Sequence, residues 1–185
     1  MTKAAKLLIS LGFALLTLSL GALLLLHLAD SRAQKDAEAL LGQLDTLLPA
    51  SHPGLPDTYR VSAMPTLEVD GRDIVAILEI PAYGLRLPVL ATWDAGSALG
   101  IPRRLSGSAY DGTLSIGGGS QFACFREIPN GTAVTVTDMT GAVFSYTVSR
   151  IGRSMRADPE TLAGSHLTLF TRQQTNLEYI LLRCT

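Results

Sequence analysis

The sequence predicts a mostly β domain, a closed barrel or a sandwich, preceded by one N-terminal transmembrane helix. Two observations predict it. A single apolar run, Leu7 to Leu28, stands at the N-terminus, and from Leu67 onward short strand-like segments alternate with turn residues while helical stretches stay brief. Many short strands with few helices exclude a parallel α/β sheet.

The apolar run is composed almost wholly of Leu, Ala, Gly, Ile and Phe, broken only by Ser10, Thr17, Ser19 and His27. Its length of about 20 residues matches a ~30 Å hydrocarbon core at 1.5 Å rise per residue. Lys3 and Lys6 precede it and no acid does, so the N-terminus is expected on the cytoplasmic side and the rest outside. The competing reading is a cleaved signal peptide, with Ser31-Arg32-Ala33 as the cleavage site. Signal-peptide cores run about 7–15 residues, so the greater length favours an uncleaved anchor. His27, at the outer end of the run, reads as an interfacial polar residue. Residues 1–29 are therefore assigned to the cytoplasmic tip and anchor.

Residues 30–66 are expected to form a helical stalk and a proline-rich spacer. Ala37, Leu40, Leu41, Leu44 and Leu48 recur at helical spacing, and then Pro49, Pro53, Gly54, Pro56 and Pro65 interrupt regular structure. His52 has no metal-ligand neighbours and reads as solvent-exposed.

Residues 67–185 form the β domain. Ile74 to Ile80 reads as a buried strand stopped by Pro81. Leu85 to Leu90 alternates as a half-buried strand, with Pro88 at an edge or bulge. Thr113 to Ile116 leads into Gly117-Gly118-Gly119. The segments 132–138 and 142–151 flank Met139-Thr140-Gly141 as a hairpin, and 167–171 and 179–184 supply two further strands. Helix is expected only over 121–127 and over 159–163, the latter capped by Asp158.

Composition and motifs exclude several functions. The net charge of -1 and the lack of a basic run give no electrostatic basis for nucleic-acid binding. His166 is the only histidine of the domain, so no Ser-His-Asp set exists, and no Cys/His cluster of metal-ligand spacing is present. The glycine run lacks the lysine of a phosphate loop, and no cofactor or metal is expected. The two cysteines, Cys124 among aromatic residues and Cys184 at the end of the last strand, both read as buried core residues. A disulfide between them stays open, since spacing cannot set their separation.

The residues do resemble a known family. Ile77-Leu78-Glu79-Ile80-Pro81-Ala82-Tyr83-Gly84-Leu85-Arg86-Leu87-Pro88-Val89 resembles the opening motif of sortases, the membrane-anchored cysteine transpeptidases of Gram-positive bacteria. Ser106-Gly107-Ser108 followed by Leu114-Ser115-Ile116-Gly117 resembles the approach to the sortase histidine. Residues 137–141 with 144–148 resemble the central hairpin, and Leu167-Thr168-Leu169-Phe170-Thr171 resembles the strand carrying the TLxTC signature. The resemblance implies a closed barrel of about eight strands at the cell surface.

It also implies three vacated positions. Arg172 stands where the nucleophilic cysteine belongs, and a guanidinium cannot serve as that nucleophile. Gly118, with Gly117 as the alternative, stands at the histidine, and Tyr179 at the arginine. The resemblance therefore implies a sortase-type pseudoenzyme with a surface-protein sorting-signal peptide or a true sortase as partner. Thr168, Thr171, Arg172 and Tyr179 are its candidate peptide or anion groove. An active transpeptidase using other residues and a purely structural surface module are the alternatives. His166 begins the strand that Arg172 ends, on the order of 20 Å away, too far to act there.

Overall fold

The computed structural model describes residues 3–54, 63–94, 100–173 and 177–185; in the first helix it describes the side chains of 11–25, 28 and 31 onward. That helix, α1, runs unbroken over Lys3–Leu47. Leu and Ala favour helix strongly, and no proline intervenes before Pro49, which ends it. Thr17 and Ser19 donate their hydroxyls to the carbonyls of Ala14 and Leu16, both at 2.9 Å. The apolar side chains from Leu11 to Leu25 are exposed. The expected transmembrane span is not found: among the described residues no helix is long and apolar enough to cross a membrane. Residues 7–10, 26 and 27 of the expected span lie outside the described side chains.

The second half of α1 is not a detached stalk. Ala37, Leu40 and Leu44 are buried at the spacing of one helical face. They dock on β2 (Leu67–Val69) and β4 (Leu85–Leu90), flanked by Asp36–Arg72 at 3.3 Å, Asp45–Arg86 at 2.6 Å and Gln43–Asp70 at 2.7 Å. A two-residue strand, β1 (His52–Pro53), then pairs parallel to β8 (Ala142–Ser154), and His52 is exposed as expected.

The remaining strands are β3 (Arg72–Ile80), β5 (Arg103–Ser106), β6 (Leu114–Gly118), β7 (Ala133–Asp138), β8 (Ala142–Ser154), β9 (Leu167–Arg172) and β10 (Tyr179–Cys184). Hydrogen bonding follows the order β3–β4–β5–β6–β9–β10–β8–β7 and returns from β7 to β3, which closes an eight-stranded barrel. Alternation puts Leu78, Ile80, Leu114, Ile116, Val134, Val136, Val148, Leu169, Ile180 and Leu182 inside, all buried. The seam between β4 and β5 is a single parallel pair, Leu90 with Arg103, so Pro88 lies on a largely open edge, beside which α1 packs. The β7–β8 turn is held by Asp138, whose Oδ1 accepts from the amides of Thr140 and Ala142 at 2.8 and 3.0 Å.

Helix in the β domain is brief, as expected, with one unforeseen 3₁₀ turn, Pro81–Tyr83, between β3 and β4. A 3₁₀ segment, Ser120–Arg126, follows β6, and α2 (Pro159–Leu162) begins at Asp158, whose carboxylate accepts from the Thr161 amide at 2.8 Å.

Candidate functional site

Strand pairing alone gathers Gly118, Arg172 and Tyr179. β6 and β9 run parallel with Gly118 opposite Thr171, and β10 runs antiparallel to β9 with Tyr179 opposite Arg172. Gly118, Arg172 and Tyr179 thus sit on three adjacent strands at one end of the barrel, each strand step about 4.8 Å.

The space over the glycine run is filled by aromatic rings. A Cβ added at Gly118 would lie 2.6 Å from Cδ2 and Cε2 of Phe122, a ring fully buried and stacked on Phe125 at 4.3 Å. One added at Gly117 would lie 2.4 Å from Cζ3 of Trp93 and 2.5 Å from Cζ of Phe170. Glycine is required at both positions because the rings approach the backbone directly. The 3₁₀ segment that delivers Phe122 starts immediately after the run, so the chain folds back onto its own strand end.

On the outer face, Trp93, Phe170 and Tyr179 form a row with centroids 5.4 and 6.2 Å apart, the second contact edge-on. Phe170 is buried, whereas Trp93 and Tyr179 are half-buried. Tyr179 therefore packs outside the barrel, not in it. Arg172 is exposed at the end of this row, and among the described residues no carboxylate pairs with it. The next residue, Gln173, is buried; its backbone amide donates to the Glu178 carbonyl at 2.7 Å, while its side-chain Nε2 has no hydrogen-bond partner among the described residues.

The two groove threonines behave differently from expectation. Thr171 donates its hydroxyl to the Gly119 carbonyl at 3.1 Å, pinning the glycine run to β9. Thr168 donates to the Leu162 carbonyl at 2.9 Å and so fastens α2; four residues back along the strand, it stands about 13 Å from Arg172. Thr168 does not join the site.

Neither cysteine is disulfide-bonded, so the pairing left open by the sequence does not form. Cys184 is fully buried, five residues along β10 from Tyr179, and burial pushes its thiol up to about 12. Cys124 is half-buried, and burial raises its thiol as well. The thiolate is the nucleophile, so neither environment favours one. His166 is exposed and precedes β9, at the other end of that strand from Arg172. Among the described residues no three His, Cys, Asp or Glu side chains are grouped to hold a metal ion.

Sequence reasoning missed the aromatic row and Phe122. Their partners are distant in sequence, and only the glycine run itself, three residues with no side chain before a Phe-rich segment, carried a signal.

No family model matches the sequence, and no curated protein matches it. Solved structures do match. A lid mutant of sortase A from Corynebacterium diphtheriae is 23% identical with a TM-score of 0.53, over 61% of this chain and 69% of that one. A Clostridium perfringens sortase D5 transpeptidase is 16% identical at 0.53, over 61% and 78%. The pilus-related sortase C of Group B Streptococcus is 17% identical at 0.52, over 83% and 93%. Taken with the closed barrel and its strand order, these matches establish that the domain has a sortase-like fold.

Proposed function

We propose that this protein is a membrane-tethered, extracytoplasmic sortase-fold pseudoenzyme. It binds a surface-protein sorting-signal peptide, or a true sortase, at the Arg172 end of its barrel, in cell-wall or pilus assembly. One observation carries this reading: Gly118, Arg172 and Tyr179 meet at one barrel end, with Phe122 over Gly118 where an imidazole would have to stand. Acyl transfer needs an activated nucleophile, and a permanently protonated guanidinium is the reverse of one. The pilus-related sortase C among the similar structures is consistent with such a setting.

The same features favour binding. Half-buried Trp93 and Tyr179 offer apolar contact, while exposed Arg172 and the unpartnered Gln173 side-chain amide offer donors to a peptide carbonyl or carboxylate. The tether rests on the sequence run Leu7 to Leu28 and its Lys3/Lys6 flank. Return of the Thr17 and Ser19 hydroxyls to the helix backbone suits a hydrocarbon surrounding. A structural surface module is the second reading, favoured by the engagement of Thr168 and Thr171 with backbone carbonyls.

The test is titration of the full-length protein with sorting-signal peptides, followed through the fluorescence of Trp93, the single tryptophan. Saturable binding is expected, weakened about tenfold or more by Arg172→Ala, the size of one charge-assisted hydrogen bond. Absence of binding to peptides and to a true sortase would favour the structural module. For the tether, a released species beginning near Gln34 would contradict the anchor.

A further inference from the structure

Two cavities lie side by side where β6 and β9 begin and β10 ends, away from Arg172. One, of about 520 Å³, lies between the loop 106–113 and the α2–β9 connection, and the other, of about 400 Å³, between Tyr110–Gly112 and β8. Gly112 and His166 line both. The imidazole rests on Gly112, where an added Cβ would stand 3.3 Å from its Cδ2, so the exposed ring forms a rib between the cavities.

Asp111 is fixed at this rib. Its Oδ1 accepts from the Thr113 amide at 3.0 Å and from the Thr113 hydroxyl, and the Thr113 amide also reaches the Ser108 carbonyl at 3.1 Å. Oδ2 has no hydrogen-bond partner among the described residues. Such a braced carboxylate is preorganised as an acceptor.

The independent observation is Tyr146. It lines the smaller cavity, is only 8% exposed, and its buried hydroxyl has no hydrogen-bond partner among the described residues. Burial first, then the Cys184 thiol and the Asp111 carboxylate, holds that hydroxyl protonated well above the usual tyrosine range. It is therefore a donor wherever Asp111 is an acceptor. A buried polar atom without a partner is costly, and native proteins keep few.

The lining selects a ligand class. Asp111 is its single acidic side chain, and no lysine or arginine lines either cavity among the described residues. An anion finds no lysine or arginine, and a polyvalent cation finds no pair of acidic side chains. Most other polar side chains are hydroxyls, among them Ser106, Thr113, Ser145 and Ser165. Hydroxyls donate and accept alike, and both volumes fall in the ~300–1,000 Å³ range of small-molecule sites. We propose that this double cavity is a binding site for a neutral, polyhydroxylated ligand of saccharide size. Asp111 Oδ2 accepts from the ligand hydroxyls, Tyr146 donates to the ligand, and His166 separates two subsites.

The test is titration of the full-length protein in detergent micelles with the N-acetylglucosamine disaccharide and with maltose, read from backbone amide chemical shifts. Butylamine and acetate serve as charged probes. Saturable shifts are expected at Asp111, Gly112 and His166 with at least one saccharide, without shifts at Arg172 or Tyr179. Tyr146→Phe removes only the unpartnered hydroxyl, so it should keep or raise thermal stability while weakening the saccharide about fivefold or more. Asp111→Asn keeps the Oδ1 acceptor for Thr113 and should weaken binding likewise. No response to either saccharide, a response to butylamine or acetate alone, shifts centred on Arg172, or unchanged affinity in both variants would each overturn the proposal.

Discussion

Gly118→Ala adds a single methyl and should destabilise the barrel measurably. The new Cβ would lie 2.6 Å from two Phe122 ring carbons and 3.0 Å from a third. Carbon atoms in contact prefer about 3.5–4.0 Å, so the methyl intrudes by roughly 1 Å. Phe122 cannot withdraw, because it is fully buried and stacked on the equally buried Phe125 at 4.3 Å. Overpacking of this kind costs about 1–3 kcal/mol. For a chain of this size each kcal/mol lowers the melting temperature by roughly 2–4 °C, giving a fall of about 2–12 °C. Gly118 has no positive φ, and Gly→Ala at a compatible position stabilises by about 0.4–1 kcal/mol, so any loss isolates the clash. Urea unfolding of the full-length protein, followed by Trp93 fluorescence and by far-UV circular dichroism, measures it. Phe122→Leu in the same background should restore part of the loss, with a coupling of about 0.5–3 kcal/mol. Wild-type stability in Gly118→Ala, or strict additivity in the double variant, would refute the seating of Phe122 over Gly118. The same clash means that Gly118→His cannot seat an imidazole at this position unless Phe122 is also made smaller.

Three further outcomes are expected. Native Cys184 should resist thiol reagents at neutral pH until the protein unfolds, because burial pushes its thiol to about 12, whereas half-buried Cys124 should react slowly; rapid native labelling of Cys184 would contradict its placement. The Asp45 carboxyl is held below its usual value by the Arg86 hydrogen bond, so its stabilising effect is present above the unfolded value of about 3.9 and is lost as pH falls through the lower, folded one. Both partners are well exposed, so Arg86→Gln should remove about 0.2–1 kcal/mol at neutral pH and flatten unfolding curves below about pH 4. Leu44→Ala should cost about 2–5 kcal/mol and expose the second half of α1 to protease, since Leu44 is fully buried against the barrel; wild-type protease resistance would show that α1 does not depend on that contact.

Local pattern carried most of the barrel. Ile74 to Ile80, the hairpin around Met139-Thr140-Gly141 and the Asp158 cap were readable because each depends on neighbours within a few residues. The meeting of Arg172 and Tyr179 was readable too, since they flank one connection. β5 was missed because Arg103–Ser106 is half-buried throughout, two arginines included, and shows no alternation. The apolar face of α1 was visible as Leu40 and Leu44, but nothing local names its partner, so a wall of the domain read as a spacer. Thr168 looked like a groove residue by its motif, and only the fold of α2 shows its hydroxyl capturing the Leu162 carbonyl. Phe122 over Gly118 is likewise a contact of backbone path, not of residue type.

The most direct test of the central claim is intact-protein mass spectrometry of the full-length protein after incubation with an LPxTG-type sorting peptide. An unchanged protein mass and an uncleaved peptide are expected, because Arg172 provides no nucleophile and burial suppresses the thiolates of Cys124 and Cys184. A protein mass raised by the acyl portion of the peptide, lost on treatment with hydroxylamine, would contradict it and would identify a working thiol.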